Sequence, residues 1–314
     1  MKPWFGLHLP NYTFPDTPPT QIFDRIVEQV HAAEECGFSL VTVMDHLYQI
    51  GGVGPEEAPM LEAYSTLAAL ARETSRVRLG TLVTSVTYRN PALLVKEVTT
   101  LDVISGGRAI FGVGAGWNES EHIGYGYRFP PVKERMDRLE ELLAVARGMF
   151  NEARTTFEGS FTRVDEALNS PPPVQPGGPP VMVGGGGEQR TLRIAARYAD
   201  MTHWFATGGL EPLVRKTQIL AGYCAELGRN PAEIERTIGT PVVVAADEAA
   251  AARYLDRLPP ERRSSLFVGT PAQCADALAP YLEAGFTGFT FGNTMLRTPA
   301  DIRVAGELLE LIGG

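Results

Sequence analysis

Hydrophobic and polar positions along the chain follow two alternating patterns. Short apolar runs rich in β-branched residues, such as Leu40 to Met44 (LVTVM), are typical of buried parallel strands. Longer segments space their apolar residues three or four positions apart, as Ile22, Ile26 and Val30 do, which predicts amphipathic helices. The two patterns alternate along the chain, and this order predicts βα units built around a parallel sheet.

The patterns predict eight strands, each followed by a helical segment. The predicted strands are Trp4 to Leu9, Leu40 to Met44, Val77 to Val83, Ala109 to Val113, Val181 to Val183, Met201 to Phe205, Val242 to Ala245 and Phe286 to Phe291. Eight such units favour an α/β fold of the (β/α)8 or TIM barrel type, with residues 1–314 as a single domain. An open six-stranded doubly wound sheet with a cap is the alternative.

One segment after the fourth helix breaks this rhythm. Residues 151–180 are rich in turn-forming residues and carry six prolines from Pro171 onwards. Proline has a fixed φ angle and no amide hydrogen, which excludes helix and central strand from such a stretch. We therefore predict an insertion loop at about 151–180.

Polar residues at the ends of the predicted strands are the candidates for chemistry, because barrel active sites lie at the carboxyl ends of the strands. In Asp45-His46, a carboxylate next to an imidazole can hold the ring in one tautomer, ready to exchange a proton. The alternative is that Asp45 caps a turn and His46 is a packing or surface residue. The wider set of strand-end candidates is His8, Asn11, Asp45, His46, Thr84, Ser85, Trp117, Asn118, His203, Trp204 and Asn293.

Two glycine-rich loops follow the fourth and fifth predicted strands. The first, Phe111 to Trp117 (FGVGAGW), is a weak match to a dinucleotide site, because no helix with an acidic residue about 20 positions on follows in the expected register. The second, Gly184 to Gly187, precedes a helix, where exposed backbone amides can bind an anion, with Arg190 as a candidate additional cation. Both loops would flank one sector of the barrel mouth, which suits a ligand with a phosphate tail and a ring that reaches His46.

Composition and charge narrow the class of partner. Lys and Arg number 28 against 37 Asp and Glu, a net charge of −9 without a basic run, which argues against nucleic acid and acidic membranes. The three cysteines, Cys36, Cys224 and Cys274, lie far apart with no adjacent histidine, so we expect no metal site. No apolar stretch reaches the about 18 residues of a membrane span, and the first residues do not resemble a secretory signal. We expect a cytoplasmic protein.

Four runs of the sequence together resemble one protein family. They are MDHL at Met44, the stretch from Leu61 to His122 with its GVGAGWNESEH end, GYGYRFPPVKERMDRLEELL, and VMVGGGGEQRTLRIAARYAD. In order and spacing they are similar to the bacterial luciferase-like flavin and deazaflavin oxidoreductases, most closely to the class that depends on coenzyme F420. The resemblance covers nearly the whole chain. It implies a β/α barrel with an insertion, a homodimer, and coenzyme F420 or FMN as the cofactor.

The resemblance also implies roles for individual residues. Asp45 and His46 match the catalytic Asp-His pair of the family, with His46 beside the reactive face of the deazaflavin. A non-prolyl cis peptide that supports the ring maps near Leu82-Val83. The implied cofactor-binding residues are Asn11, Asp45, His46, Leu82, Val83, Gly114, Ala115, Gly116, Trp117, Gly184, Gly185, Gly186 and Gly187.

The leading hypothesis is therefore a coenzyme F420-dependent oxidoreductase that moves a hydride between the deazaflavin and an unidentified small organic substrate. His46 is its candidate acid or base. Three alternatives stay open: an FMN-dependent monooxygenase of the luciferase type, a non-catalytic protein that binds flavin or F420, and a phosphosugar isomerase or lyase. The substrate does not follow from the sequence, because the loops that would select it have no fixed conformation at this level.

Overall fold

The computed structural model describes residues 2–257 and 266–313. In this part of the chain the strands are β1 (Trp4–Leu9), β2 (Leu40–Val43), β3 (Arg78–Thr81), β4 (Thr84–Ser85), β5 (Ala109–Gly114), β6 (Thr155–Glu158), β7 (Arg163–Ala167), β8 (Val181–Gly184), β9 (Met201–Phe205), β10 (Glu235–Gly239), β11 (Val242–Val244), β12 (Phe267–Gly269) and β13 (Gly288–Gly292).

The α-helices of the described residues are α1 (Ile22–Glu35), α2 (Ala63–Glu73), α3 (Pro91–Ser105), α4 (Glu119–Gly124), α5 (Val132–Asn151), α6 (Thr191–Tyr198), α7 (Leu210–Glu226), α8 (Glu248–Arg257), α9 (Pro271–Glu283) and α10 (Pro299–Gly313), and two short 3-10 helices span Pro19–Gln21 and Pro231–Glu233. Local sequence explains several of their starts. The Asn90 side chain accepts from two amides at the start of α3, and Thr270 with Gln273 forms a capping box on α9.

Eight parallel strands close a barrel. Their order is β3, β2, β1, β13, β10, β9, β8 and β5, and β5 pairs back to β3. The helices surround this barrel, so the fold is the predicted TIM barrel. The short strand β4 follows β3 in the chain and pairs with the last two residues of β5, beyond the point where β3 ends.

Alternate residues of each strand face opposite sides, so the barrel has two apolar cores. The core between strands and helices includes Phe5, Phe289 and Phe291, and the rings of Phe5 and Phe291 meet edge to face at 4.7 Å. The core inside the barrel is smaller and consists of Trp4, Leu40, Ile110, Met182 and Met201. Further along the same strands the inward positions become polar or small.

The predicted seventh strand was wrong. Val242–Val244 pairs with Phe267–Gly269 in a separate two-stranded sheet, and the seventh barrel strand is Glu235–Gly239. Polar residues in this strand explain why the hydrophobic pattern did not predict it. Glu235 accepts from the indole N–H of Trp4, and Thr237 bonds to the neighbouring strand. Because Glu235 and Thr237 are polar, the strand lacks the apolar run that is typical of a buried parallel strand. The partners that bind these polar groups lie far away in the chain, so the local sequence does not reveal them.

The predicted insertion loop at about 151–180 contains regular structure. The helix before it runs to Asn151, and Thr155–Glu158 pairs with Arg163–Ala167 as an antiparallel hairpin. The hairpin precedes the prolines and lies outside the barrel sheet, so it does not conflict with the exclusion of a central strand. The proline-rich remainder leads into β8 without a helix or strand.

Candidate active site

A cavity of about 460 Å³ opens at the carboxyl ends of the barrel strands. Every predicted cofactor-binding residue except Asn11 lines it. The side chain of Asn11 instead accepts from the amide of Thr13, and its backbone exchanges two hydrogen bonds with the side chain of Asn293. The residues that line the cavity come from seven separate stretches of the chain.

His46 is held by a carboxylate that the sequence analysis missed. Its Nδ1 lies 2.8 Å from Oε2 of Glu121, whose side chain is completely buried on the short helix α4. The same carboxylate accepts from the amides of Leu47 and Tyr48 and from the hydroxyl of Tyr88. An ionised carboxylate can only accept, so Nδ1 of His46 carries a proton and Nε2 is the ring atom available to a ligand.

Four donors also determine the charge state of Glu121. Burial acts to raise the pKa of this carboxyl, but the hydrogen bond from His46 and the amides of Leu47 and Tyr48 together hold the pKa below its usual value. Glu121 is therefore an anion at neutral pH. The arrangement of imidazole, carboxylate and oriented backbone is typical of an acid or base held in a fixed position.

The carboxylate of Asp45 binds Arg89 and does not orient the ring of His46, although the two residues are adjacent in the sequence. Its carboxylate makes two parallel hydrogen bonds with Arg89, at 2.8 and 2.9 Å, and accepts from the amide of Ser85. Burial raises the pKa of Asp45, and the charge and hydrogen bonds of Arg89 oppose that rise. Arg89 also contacts Glu62 and Glu97, which are partly exposed, so Asp45 is the buried member of an ionic cluster that reaches from the cavity wall to the surface.

Leu82 and Val83 form one wall of the cavity, directly after β3 ends at Thr81. The peptide bond between Leu82 and Val83 is cis, as the resemblance implies, and both residues line the cavity. The hydroxyl of Thr81 donates to the carbonyl of Gly112, and the amide of Thr84 donates to Thr81. The predicted strand Val77 to Val83 is therefore shorter than expected and ends at Thr81.

The glycines beside this wall are required by close approach. A Cβ atom on Gly114 would lie 2.8 Å from a methyl carbon of Val83, and one on Gly184 would lie 2.7 Å from the same atom. Gly116 has a φ of 76° and would place a Cβ against the hydroxyl of Ser85. Any side chain at these positions would displace the Val83 wall or enter the cavity.

The second glycine loop has a cation beside it, but not the expected one. Arg190 points away and bonds to Asp137 and to the carbonyl of Lys133. Lys216 of α7 reaches the loop instead, with Nζ 3.6 Å from the position of a Cβ on Gly186. Amides at the start of α6 and this ammonium group together form an environment that favours an anion.

Two histidines, the half-buried His8 and the buried His203, line one end of the cavity. Nδ1 of His8 lies 2.9 Å from the Thr42 hydroxyl, and Nδ1 of His203 lies 2.9 Å from the Thr237 hydroxyl. Burial lowers the pKa of His8 to about 4 and that of His203 to about 3. Both rings are therefore neutral at physiological pH.

The two candidate tryptophans have different environments. Trp117 is 62% exposed at the rim of the cavity, and its ring meets that of His46 edge to face at 5.5 Å. Trp204 is buried against Phe286 on the other side of its strand and does not line the cavity. Trp117 can therefore contact a ligand, whereas Trp204 belongs to the core.

Glu121, Lys216 and Arg89 are three charged residues of the site that the sequence did not predict. Glu121 lies in the NESEH run directly after the first glycine loop, and this position was its one local signal. Lys216 and Arg89 lie on a helix and in a loop with nothing in their neighbouring residues to distinguish them. Each acquires its role from contacts across the fold.

The described residues form neither a metal-binding cluster nor a membrane-spanning helix. Between residues 2 and 257 and between 266 and 313, no group of three or more His, Cys, Asp or Glu side chains is placed to hold a metal ion. None of the helices in these ranges combines the length and the apolar character needed to cross a bilayer.

Comparison with known proteins gives consistent matches. A family model described as luciferase-like monooxygenase matches residues 4–263. The chain is 30% identical over 294 residues to the F420-dependent glucose-6-phosphate dehydrogenase of Kineococcus radiotolerans, which covers 82% of this chain and 84% of that protein. It is 31% identical over 232 residues to the F420-dependent hydroxymycolic acid dehydrogenase of Mycobacterium tuberculosis, covering 73% and 61%.

Solved structures share the fold over almost the full length. An F420-dependent secondary alcohol dehydrogenase in complex with an F420-acetone adduct aligns with a TM-score of 0.81 at 20% identity, covering 99% of both chains. The coenzyme F420-dependent tetrahydromethanopterin reductase from Methanopyrus kandleri aligns with a TM-score of 0.78 at 20% identity, covering 99% of this chain and 100% of that one. At this level of identity the alignments establish the architecture alone.

Proposed function

The chain belongs to the luciferase-like monooxygenase family, and from this premise we propose that it is a coenzyme F420-dependent oxidoreductase that transfers a hydride between the deazaflavin and a small organic molecule. The relatives that are 30% and 31% identical carry F420-dependent names and support this proposal. Their names give different substrates, so the proposal extends only to the cofactor and the reaction type.

One observation carries the proposal: an imidazole fixed by a buried carboxylate lies at the side of a cavity large enough for a ring system. His46 lines the 460 Å³ cavity, and Glu121 occupies its Nδ1. Leu82 and Val83 form another wall of the same cavity. When a hydride leaves an alcohol carbon, the oxygen loses a proton, and when a hydride adds to a carbonyl carbon, the oxygen gains one; Nε2 of His46 is suited to take or give that proton.

The residues present fit a cofactor with a ring and a phosphate tail. The glycines at 114, 116 and 184 leave a surface on which a flat ring is not blocked by side chains. The amides of Gly186 and Gly187 and the ammonium of Lys216 would hold the phosphate, whereas the amide of Gly185 donates to the carbonyl of His203. When bound, coenzyme F420 supplies a ring carbon that accepts or donates the hydride.

The protein's own groups have separable tasks in this proposal. His46 holds or releases a proton at Nε2, and Glu121 orients the ring and stabilises it when it is protonated. Asp45 acts as a positioning residue, because its carboxylate accepts from Arg89 and from the amide of Ser85, a residue of the cavity wall. Trp117 lies at the rim, where its ring would cover a bound ligand and shield the reacting atoms from water.

We also propose that the protein is a homodimer, as the resemblance implies. The segment around α4 exposes Ile123, Tyr125, Tyr127 and Val132, with exposed fractions of 40 to 71%. Large exposed apolar groups concentrated in one segment often mark a protein contact. Analytical ultracentrifugation tests the proposal: a dimer that dissociates after Ile123→Asp supports it, and a wild-type monomer at micromolar concentration contradicts it.

Titration of the cofactor-free protein with coenzyme F420 and with FMN tests the proposed function. Trp117 lies on the rim beside His46, so we expect F420 to quench tryptophan fluorescence, and Trp117→Phe to lose most of that response. Trp4 and Trp204 are buried and provide the residual signal as an internal control. Tight FMN binding with no response to F420 would replace this proposal with the FMN-dependent monooxygenase.

A further inference from the structure

The protonation of His203 follows from its hydrogen bonds. Its ring is almost fully buried, with 3% exposed, and lines the candidate cavity. Nδ1 lies 2.9 Å from the hydroxyl of Thr237, and that hydroxyl lies 2.8 Å from the carbonyl oxygen of Thr202. A hydroxyl has one proton and a carbonyl only accepts, so the Thr237 proton is donated to Thr202. Nδ1 of His203 therefore carries the ring proton and donates it to Thr237.

The second ring nitrogen is left as an acceptor. Nε2 of His203 is buried, and the described residues provide it with no hydrogen-bond partner. Burial, with a smaller contribution from His8, lowers the pKa of His203 to about 3, so Nε2 keeps a free lone pair at physiological pH. Buried polar atoms in native proteins almost always have a partner. A ligand in the cavity is the partner that this arrangement leaves open.

Among the residues that the structure describes, the surroundings of Nε2 leave space and provide no competing charge. Gly239 on the next strand has no side chain, and a Cβ there would lie 3.9 Å from Nε2. The titratable neighbour is His8, which burial keeps neutral and whose Nδ1 is engaged with Thr42. The ring edge of Phe205 provides an apolar side, with the two ring centroids 6.0 Å apart. A small donor group can approach the lone pair without displacing another polar group.

We propose that this end of the cavity is a hydroxyl-binding subsite, in which Nε2 of His203 accepts a hydrogen bond from an O–H group of the bound ligand. A lone pair attracts donors and repels carbonyl and ether oxygens, so the subsite favours an alcohol over the ketone with the same skeleton. The hydroxyl belongs either to the ribityl chain of the cofactor or to the substrate. The substrate case rests on the proposed function and specifies a hydroxyl-bearing substrate for it.

Nitrogen NMR of protein labelled with ¹⁵N in its five histidine rings tests the tautomer directly. We expect the Nε2 resonance of His203, assigned by its loss in His203→Gln, to have the shift of a nitrogen without a proton. A protonated Nε2 in the free protein overturns the proposal. Thr237→Val removes the acceptor of Nδ1, so we expect it to allow the other tautomer and move this resonance. The matched change Thr42→Val, next to His8, leaves the His203 signal in place.

Ligand additions then identify the source of the hydroxyl. An upfield movement of the His203 Nε2 resonance with coenzyme F420 alone supports the subsite and assigns it to the cofactor. Movement only when propan-2-ol is added to the F420-loaded protein supports it and assigns it to the substrate, with acetone as the control that leaves the resonance unmoved. A resonance that no addition moves, or that acetone moves equally, overturns the subsite.

The same experiment stays informative if the proposed function fails. Propan-2-ol and acetone are also added to the protein without cofactor, so a protein that does not bind F420 still reports on the subsite. In that case the loss of the F420 response counts against the proposed function, whereas a selective response to the alcohol still supports the role of His203. For a hydroxyl ligand that binds, we expect His203→Phe to weaken affinity about tenfold, which is the effect of one hydrogen bond.

Discussion

Nδ1 of His46 lies 2.8 Å from Oε2 of Glu121, although the two residues are 75 positions apart in the chain. The carboxylate is completely buried and binds four donors, so it fixes both the tautomer and the direction of the imidazole. A base needs this geometry before its basicity matters. The relationship links the end of the second barrel strand to a short helix after the fourth, and it forms only when these two parts of the chain pack together.

Loss of the His46 imidazole should remove proton transfer and leave cofactor binding intact. We expect His46→Ala to lower kcat by about 10²- to 10⁴-fold, the usual contribution of a positioned acid or base. The dissociation constant for coenzyme F420, from tryptophan fluorescence, should change much less. His31→Ala, at an exposed histidine on α1, serves as the control. Turnover at the parent rate in His46→Ala would remove His46 from the mechanism.

Glu121 should act through His46 rather than on the ligand. We expect Glu121→Gln to lower kcat about 10- to 100-fold with little change in KM, because the amide cannot accept from all four donors. Tyr88→Phe removes one of those donors and leaves the carboxylate in place, so its loss of kcat should be much smaller. Steady-state kinetics of both variants measure the difference. Equal losses in the two variants would argue for a purely structural effect.

The depressed pKa of Glu121 predicts a pH-dependent contribution to stability. A carboxyl whose pKa is lower in the folded than in the unfolded protein stabilises the fold above the unfolded pKa, and this contribution disappears as the pH falls through the folded pKa. We expect the free energy of unfolding to fall by about 1–3 kcal/mol in Glu121→Gln at pH 7. Urea unfolding should show this difference shrinking below about pH 4.3, the usual pKa of Glu. A difference independent of pH would contradict the ionised state.

Lys216 should contribute to phosphate binding through charge. We expect Lys216→Met to raise the dissociation constant for coenzyme F420 about tenfold at low salt, with a smaller effect at high salt because exposed charges are screened. Arg215→Met removes the same charge one position earlier, where the side chain is paired with Glu188, and should have little effect. Fluorescence titrations at two ionic strengths measure this. An unchanged affinity in Lys216→Met would separate this lysine from the phosphate.

Gly184 should tolerate no side chain, whereas Gly222 should. A Cβ on Gly184 would lie 2.7 Å from Val83, so we expect Gly184→Ala to cost about 1–3 kcal/mol of stability and to weaken cofactor binding. Gly222 lies inside α7 with nothing within 4 Å of an added Cβ. There the same substitution should stabilise by about 0.5–1 kcal/mol. Thermal and urea unfolding compare the two, and a stabilised Gly184→Ala would contradict the close approach.

The local pattern of apolar residues was sufficient to predict most strands of the barrel. The first and sixth predicted strands, which are β1 and β9, begin and end where their apolar runs predict, and the proline at position 91 marks the start of α3. The seventh strand was missed because Glu235 and Thr237 face inward and are satisfied by distant residues. A pattern of hydrophobic positions detects burial in apolar surroundings. It does not detect a polar residue that is buried because its partner lies on another strand.

The sequence by itself determined the order of βα units, the Asp45-His46 pair at a strand end and the two glycine loops, because periodicity and glycine act on the local backbone. Only the tertiary structure decided that Asp45 binds Arg89, that Glu121 holds His46, and that Lys216 rather than Arg190 reaches the glycine loop. Hydrogen bonds and ion pairs depend on separations of about 3 Å between groups from distant parts of the chain. Those separations are set when the strands close the barrel and the helices pack around it.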